Sequence, residues 1–285
     1  MASMKDIKRR KESIQSTGQI TKAMKLVSTV KLQKARGSAE SARPYFDAMY
    51  RTVSDMLLKS QTVNHRYLTA KEGGKKAIIV ITANRGLAGG YNSNITRLVT
   101  QSGIDVKDAA IYAVGSKGRD FLCRRGYEIA ADYSEVINQP MYKDAMEIGT
   151  AVLSAFESGE ISEIYLAYTS FKNTVVHEPK LIKLLPMDAP AENASDNTSE
   201  ALVMYEPEEE EALDIIIPKY INSLIYGALM EAVASENGAR MTAMDNATSN
   251  AEEIISDLSL KYNRARQGSI TQELTEIIAG ANAIS

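Results

Sequence analysis

The residues best equipped for chemistry in this 285-residue chain are its single cysteine, Cys123, and the arginines that follow it, Arg124 and Arg125. A neighbouring guanidinium favours the thiolate, the form in which cysteine is a nucleophile. Thiolate catalysis also needs a base, and the only histidines, His65 and His177, stand in unrelated segments without metal-ligand spacing. Both are read as structural or exposed, and Cys123 as an inert helix cysteine. One cysteine also excludes an internal disulfide framework and a multi-cysteine zinc site, and points to a reducing compartment.

The glycine-rich ANRGLAGGYN, residues 83–92, follows an apolar run, where backbone amides can cradle a phosphate. It has neither the G-x-G-x-x-G spacing nor a Walker lysine followed by serine or threonine, and GSKGRD, residues 115–120, has the same defect. A strand-to-helix turn needs glycine simply to turn tightly and let the helix approach the sheet. That reading is preferred, and a nucleotide-binding α/β enzyme stays as a competing function. No G-x-S-x-G announces a hydrolase, and no catalytic residue, metal or cofactor is expected.

These residues lie in a stretch that alternates strand and helix. KKAIIVITANRGLAGGYNSNITRLV reads as a strand over Ala77–Thr82, a turn, and a helix from about Asn92. AAIYAVGSKGRDFLCRRGYEI repeats the order with a strand over Ala110–Val114. EIYLAYTSF and TVVHEPKLIKLLP supply further strands, the second as a hairpin or edge. The alternation predicts a mostly parallel α/β sheet. DAPAENASDNTSE, residues 188–200, reads as a polar loop, and EPEEEE, residues 206–211, as a solvated helix start whose acids suit the helix dipole.

The two ends of the chain read as long helices. From residue 3 to about 58 only Gly18, Gly37 and Pro44 interrupt, and Ile20, Ala23, Val27 and Val30 recur at helical spacing with Met24 beside them. Lys22, Lys25 and Arg36 fall opposite, while Lys31 and Lys34 stand where the stripe should continue. From Pro218 to about Ala279 little stops a helix, and Ala228, Ala232, Ala239, Ala243, Ala247 and Ala251 lead into Ile254, Leu258 and Tyr262. Residues 1–36 carry ten Lys/Arg against two acids, a balance of +8; residues 231–285 carry eight acids against four Lys/Arg, a balance of −4. Complementary charge on two long helices predicts an antiparallel coiled coil.

A helical adaptor for acidic surfaces or nucleic acid is a further alternative. The basic helix lacks aromatic interleaving, its stripe demands a helical partner, and the chain's pI is about 5.7, so nucleic acid is not expected. The apolar runs AIIVITA and DIII are too short to cross a bilayer, and the basic N-terminus has no apolar stretch after it. Neither direct membrane insertion nor a signal peptide is therefore expected.

MASMKDIKRRKESIQSTGQITKAMKLVSTVKLQKA resembles the N-terminal helix of the gamma subunits of F-type ATP synthases. ENGARMTAMDNATSNAEEIISDLSLKYNRARQGSITQELTEIIAGANAI is similar to that family's C-terminal signature, and TANRGLAGGYNSN resembles its strand-turn segment. Here Thr-Ala-Asn stands where Ser-Asp is usual, and Ala88 where many members have cysteine. The resemblance implies an α/β fold class in which N- and C-terminal helices, residues 1–58 and 208–285, form a long antiparallel coiled coil, with a central Rossmann-like α/β domain over 75–205.

It further implies a non-catalytic central-stalk rotor, one copy per three alpha and three beta subunits, peripheral at the cytoplasmic face of the bacterial plasma membrane. The implied partners are alpha, beta, epsilon and the membrane c-ring. Carried over by position, Lys22, Met24 and Lys25 face an acidic loop of beta, and Arg240 supports the same part of the coil. Arg266, Gln267 and Thr271 match a hydrogen-bonding catch on beta. Tyr205 and Glu208 match the segment near the membrane ring. In this view the lysines bear on beta while the Ile20–Val30 stripe grips the C-terminal helix, and the tail IIAGANAIS sits in an apolar collar.

Overall fold

The computed structural model describes residues 4–59, 65–69, 73–174, 176–187 and 209–284. The terminal helices are continuous: α1 spans Met4–Lys59 through Gly18, Gly37 and Pro44, and α5 spans Glu209–Ile284 through Pro218. Between them run β1 (Lys75–Ile81), α2 (Tyr91–Thr100), β2 (Ala109–Val114), α3 (Ser116–Arg124), β3 (Glu128–Asp132), α4 (Tyr142–Glu157), β4 (Ile161–Phe171) and β5 (His177–Leu185). The chain forms two compact units, Val30–Ala239, and Met1–Thr29 with Arg240–Ser285.

In the larger unit the strand order is β3-β2-β1-β4-β5, with β1 to β4 parallel and β5 antiparallel on the edge. Successive strand residues point to opposite faces. Ile78 and Val80 of β1 therefore pack with Ile95 and Val99 of α2 and Leu122 of α3, while Ile79 and Ile81 pack on the other face. That second face is covered by α4 (Ile148, Val152, Phe156), by Val53, Met56 and Leu57 of α1, and by Leu213, Ile217, Ile221 and Ile225 of α5. Each fully buried aliphatic side chain contributes about 1.5–3 kcal/mol, so this double-sided core dominates the unit's stability. The connection reverses direction after β3, and crossovers of constant hand then place α4 opposite to α2 and α3.

The expected strands Ala77–Thr82 and Ala110–Val114 and the edge strand are present within a residue or two. β3 and α4 have no counterpart in the expectation. β3 is a short edge strand with an acid at each end, a weak signal. α4 was readable, since Ala145, Ile148, Gly149, Val152, Leu153 and Phe156 are buried at helical spacing.

In the smaller unit α1 and α5 run antiparallel. Gly18 faces Ala251, where an added Cβ would lie 3.5 Å from the alanine Cβ. One turn on, the hydroxyls of Thr21 and Thr248 are 2.8 Å apart, and the next turn pairs Lys25 Nζ with Asp245 Oδ1 at 2.6 Å. Among the less exposed positions, Ile7, Lys11, Ile14, Gly18, Thr21, Lys25 and Ser28 form one row along α1, flanked by Met24, and Met244, Thr248, Ala251, Ile255, Leu258 and Tyr262 form one row along α5, flanked by Ala247 and Ser259. Both series alternate steps of three and four, the 3.5-residue period of a coiled coil.

This corrects the face read from sequence. Ile20 and Val27 are 59% and 57% exposed, and Val30 also faces solvent, so the Ile20–Val30 stripe does not grip α5. On α5, Ile254 is exposed and Ile255 stands in the seam. Lys25, expected on the outer face, reaches across to Asp245 of α5 in a pair that stays partly exposed. Hydrophobicity singled out the stripe, but two backbones approach closely only where side chains are small, and Gly18, Thr21 and Ser28 provide that face.

Candidate functional site

The crevice where nucleotides bind in open α/β sheets lies at the carboxyl ends of the strands, where the strand order reverses. Here the carboxyl ends of β1 and β2, on the β2 side of that switch point, are tied together by the chain's own polar groups. Thr82 Oγ1 accepts the Gly118 N–H at 2.9 Å and donates to the Gly115 carbonyl at 3.1 Å. Asn84 Oδ1 accepts the Ser116 N–H at 2.9 Å, and its amide donates to the Ser134 carbonyl. Asn92 Oδ1 accepts the Ala83 N–H at 2.9 Å. Side chains thus occupy the first amides of α3, the groups that would otherwise hold an anion. Gly115 is required for close approach: at φ +107° its added Cβ would stand 2.1 Å from the Thr82 carbonyl oxygen.

The other candidates for chemistry are engaged structurally. Cys123 is exposed beside an open groove of about 540 Å³ lined also by Arg119, Asp120, Arg124 and Ile129. Its arginines have structural partners: Arg124 donates to the Asp120 carbonyl, and Arg125 lies over the Phe121 ring at 4.7 Å. His65 is buried with Nε2 2.9 Å from Asp214 of α5, which also receives Arg66 Nε at 2.9 Å. His177 packs against Phe171 with ring centroids 5.9 Å apart.

Among the described residues, the long helices leave large apolar side chains in solvent. On α1, Ile20, Leu26, Val27 and Val30 are all more than half exposed. On α5, Ile270, Leu274, Ile277 and Ile278 are exposed, as is every described side chain from Thr271 onward. Arg266, Gln267 and Thr271 stand exposed just before this stretch, with Thr271 Oγ1 donating back to the Gln267 carbonyl at 2.9 Å. Lys22 is exposed and Met24 half-buried, while Arg240 is buried, 9% exposed. Tyr205 and Glu208 lie outside the described residues. Such a surface offers apolar area and hydrogen-bond donors, which is equipment for binding.

A family model described as ATP synthase matches residues 3–284. The chain is 71% identical over 291 residues to the ATP synthase gamma chain of Lachnoclostridium phytofermentans, covering all of both chains. It belongs to the ATP synthase gamma chain family.

Solved structures with the same fold include a chain from the central stalk and c-ring of the Tetrahymena thermophila mitochondrial ATP synthase, 25% identical with TM-score 0.61, covering 80% of this chain and 99% of that one. A chain of the Euglena gracilis mitochondrial ATP synthase is 18% identical with TM-score 0.68, covering 99% and 94% respectively, and supports the fold alone. The family assignment and the mixed α/β architecture with its long terminal helices agree with the resemblance of the two terminal signatures. Among the described residues no helix is long and apolar enough to cross a membrane.

Proposed function

We propose that this gamma chain is the rotating central-stalk subunit of an F-type ATP synthase, passing torque between an ion-driven membrane ring and the catalytic hexamer in synthesis or hydrolysis. The observation that carries the reading is the full-length match to ATP synthase gamma chains, joined to an antiparallel helix pair with apolar side chains left in solvent. One elementary charge crossing 100 mV supplies only about 2.3 kcal/mol, so several crossings must be summed through one stiff element. Two long helices closed on a seam with small and hydroxyl residues at its middle, Gly18, Thr21, Thr248 and Ala251, are suited to that.

In this reading residues 1–58 and 208–285 supply the shaft and 75–205 the foot. The partners are three alpha and three beta subunits, epsilon and the c-ring, and the chain does no bond chemistry of its own. It is a peripheral protein of the bacterial plasma membrane, on its cytoplasmic face. Lys22, Met24, Lys25 and Arg240 serve the stretch facing beta, Arg266, Gln267 and Thr271 the catch on beta, and Tyr205 with Glu208 the contact with ring and epsilon. The first amides of α3, already taken by Thr82 and Asn84, weigh against a nucleotide phosphate held at that turn.

Native mass spectrometry of the chain mixed with alpha and beta subunits, with ATPase measured on the same sample, tests the proposal. One copy per three alpha and three beta with altered ATPase is the expected result. A chain that stays alone in solution overturns it.

A further inference from the structure

β4 outlasts its neighbour β1. Pairing between them stops at Val80 and Ala167, whereas the pairing of β4 with β5 continues to Phe171 and His177. The last residues of β4 therefore present backbone groups on the β1 side with no strand to receive them, and a buried backbone group left alone is costly. The helix α5 takes them. The Glu231 carboxylate accepts the Phe171 N–H at 3.2 Å, and Ser235 Oγ, fully buried, donates to the Thr169 carbonyl at 3.2 Å. Gly238 lets the next turn close over His177, where a Cβ would stand 2.8 Å from the imidazole Cε1. Tyr168, just before these contacts on β4, has its hydroxyl pushed up to about 12 by burial and by the Glu231 charge.

Residues 231, 235 and 238 form one stripe of α5, so the helix stands in for the missing end of β1. An apolar helix face can roll over a sheet with little change in buried area. Two directional hydrogen bonds, one turn apart and aimed at two fixed backbone groups, cannot tolerate that rotation.

We propose that Glu231 and Ser235 are the torque key of this subunit, the positioning residues that lock α5 against rotation relative to the sheet. This rests on the rotor reading above. The key acts on transmission, apart from the exposed helix residues assigned above to the hexamer.

The test uses the assembled ATP synthase in sealed vesicles, with ATP hydrolysis and ATP-driven ion transport measured together. Glu231→Leu keeps the bulk and removes the acceptor; Glu231→Gln keeps an acceptor; Ser235→Ala removes only the hydroxyl. Hydrolysis should hold near the unaltered level in all three. Ions moved per ATP should fall about fivefold in Glu231→Leu and Ser235→Ala, the weight of one ordinary net hydrogen bond, and stay near normal in Glu231→Gln. Transport per ATP unchanged in both disabling variants overturns the key. So does parallel loss of hydrolysis and transport in Ser235→Ala, which would make the contact a general fold element. If Glu231→Leu does not assemble, Ser235→Ala against Glu231→Gln decides. An unaltered chain that restores no coupling to stripped vesicles would instead sink the rotor reading itself.

Discussion

Thr21 and Thr248 meet hydroxyl to hydroxyl, 2.8 Å apart, at the seam of the antiparallel coil; one donates to the other, and the hydroxyl that accepts donates to a carbonyl of its own helix, Gly18 for Thr21 or Met244 for Thr248. A polar pair on a seam specifies register, because a slipped pairing would set a hydroxyl against an apolar side chain. Replacing either threonine by valine should cost about 1 kcal/mol, since the remaining hydroxyl loses its partner. The double valine variant should recover most of that loss. Thermal melting of the four proteins in a double-mutant cycle reads the coupling directly, and additive single effects would remove the register role.

Glycines in the two units should answer alanine substitution oppositely. At Gly18 the new methyl meets Ala251 at an ordinary 3.5 Å, so Gly18→Ala should stabilise the helix by up to about 1 kcal/mol. At Gly115 the methyl would strike the Thr82 backbone at 2.1 Å in a left-handed conformation, and Gly115→Ala should cost more than about 3 kcal/mol. Denaturant titration of both variants separates the two outcomes.

The exposed stripe on α1 belongs to assembly. Because Ile20 and Val27 already face solvent, Ile20→Ser with Val27→Ser should leave the melting temperature of the purified chain within a degree or two. The same pair should weaken association with the hexamer by about 1–3 kcal/mol if those side chains are covered there. Equal affinity of both proteins would show that the stripe stays wet.

Arg266 and Gln267 are exposed on α5, so changing them tests function without disturbing packing. Arg266→Ala and Gln267→Ala should leave the isolated chain's unfolding unchanged. In the complex each should lower ATP turnover about tenfold, the scale of a lost charge-assisted hydrogen bond. Wild-type turnover in the double variant would take these residues out of the catch.

His177 makes the larger unit sensitive to acid. Burial holds its pKa below the ordinary 6.5, against a smaller opposing pull from a hydrogen bond to the Thr174 backbone. The unfolded chain then binds the proton more readily than the folded one, so stability is complete above 6.5 and falls as pH drops through the folded-state pKa. Melting temperatures followed from about pH 8 to about pH 5 should decline, and His177→Gln should flatten that part of the decline. An identical slope in the variant would place the acid sensitivity elsewhere.

Much of this architecture was legible in the residues alone. KKAIIVI is apolar on both faces because it is the central strand, and that double-sided character is visible as a run. The basic N-terminal and acidic C-terminal helices announce each other, and Lys25 with Asp245 is one pair that realises it. Arg266, Gln267 and Thr271 entered only through the resemblance of the C-terminal signature, since no local pattern singles them out; they stand exposed on α5. α4 was missed although its spacing was present, and β3 because a short edge strand makes few demands on sequence.

By itself, then, the sequence determined the alternation of strand and helix between two long helices, the pairing of those helices and the family, since each depends on local periodicity, on summed charge or on signatures read in line. The tertiary structure alone decided which face of α1 meets α5, because close approach selects for size and Ile20 is larger than Gly18. It alone showed that β1 stops short of β4, and so that Glu231 and Ser235 find backbone partners some sixty residues away. Strand length against a neighbour is a property of two segments folded together, and no single segment records it.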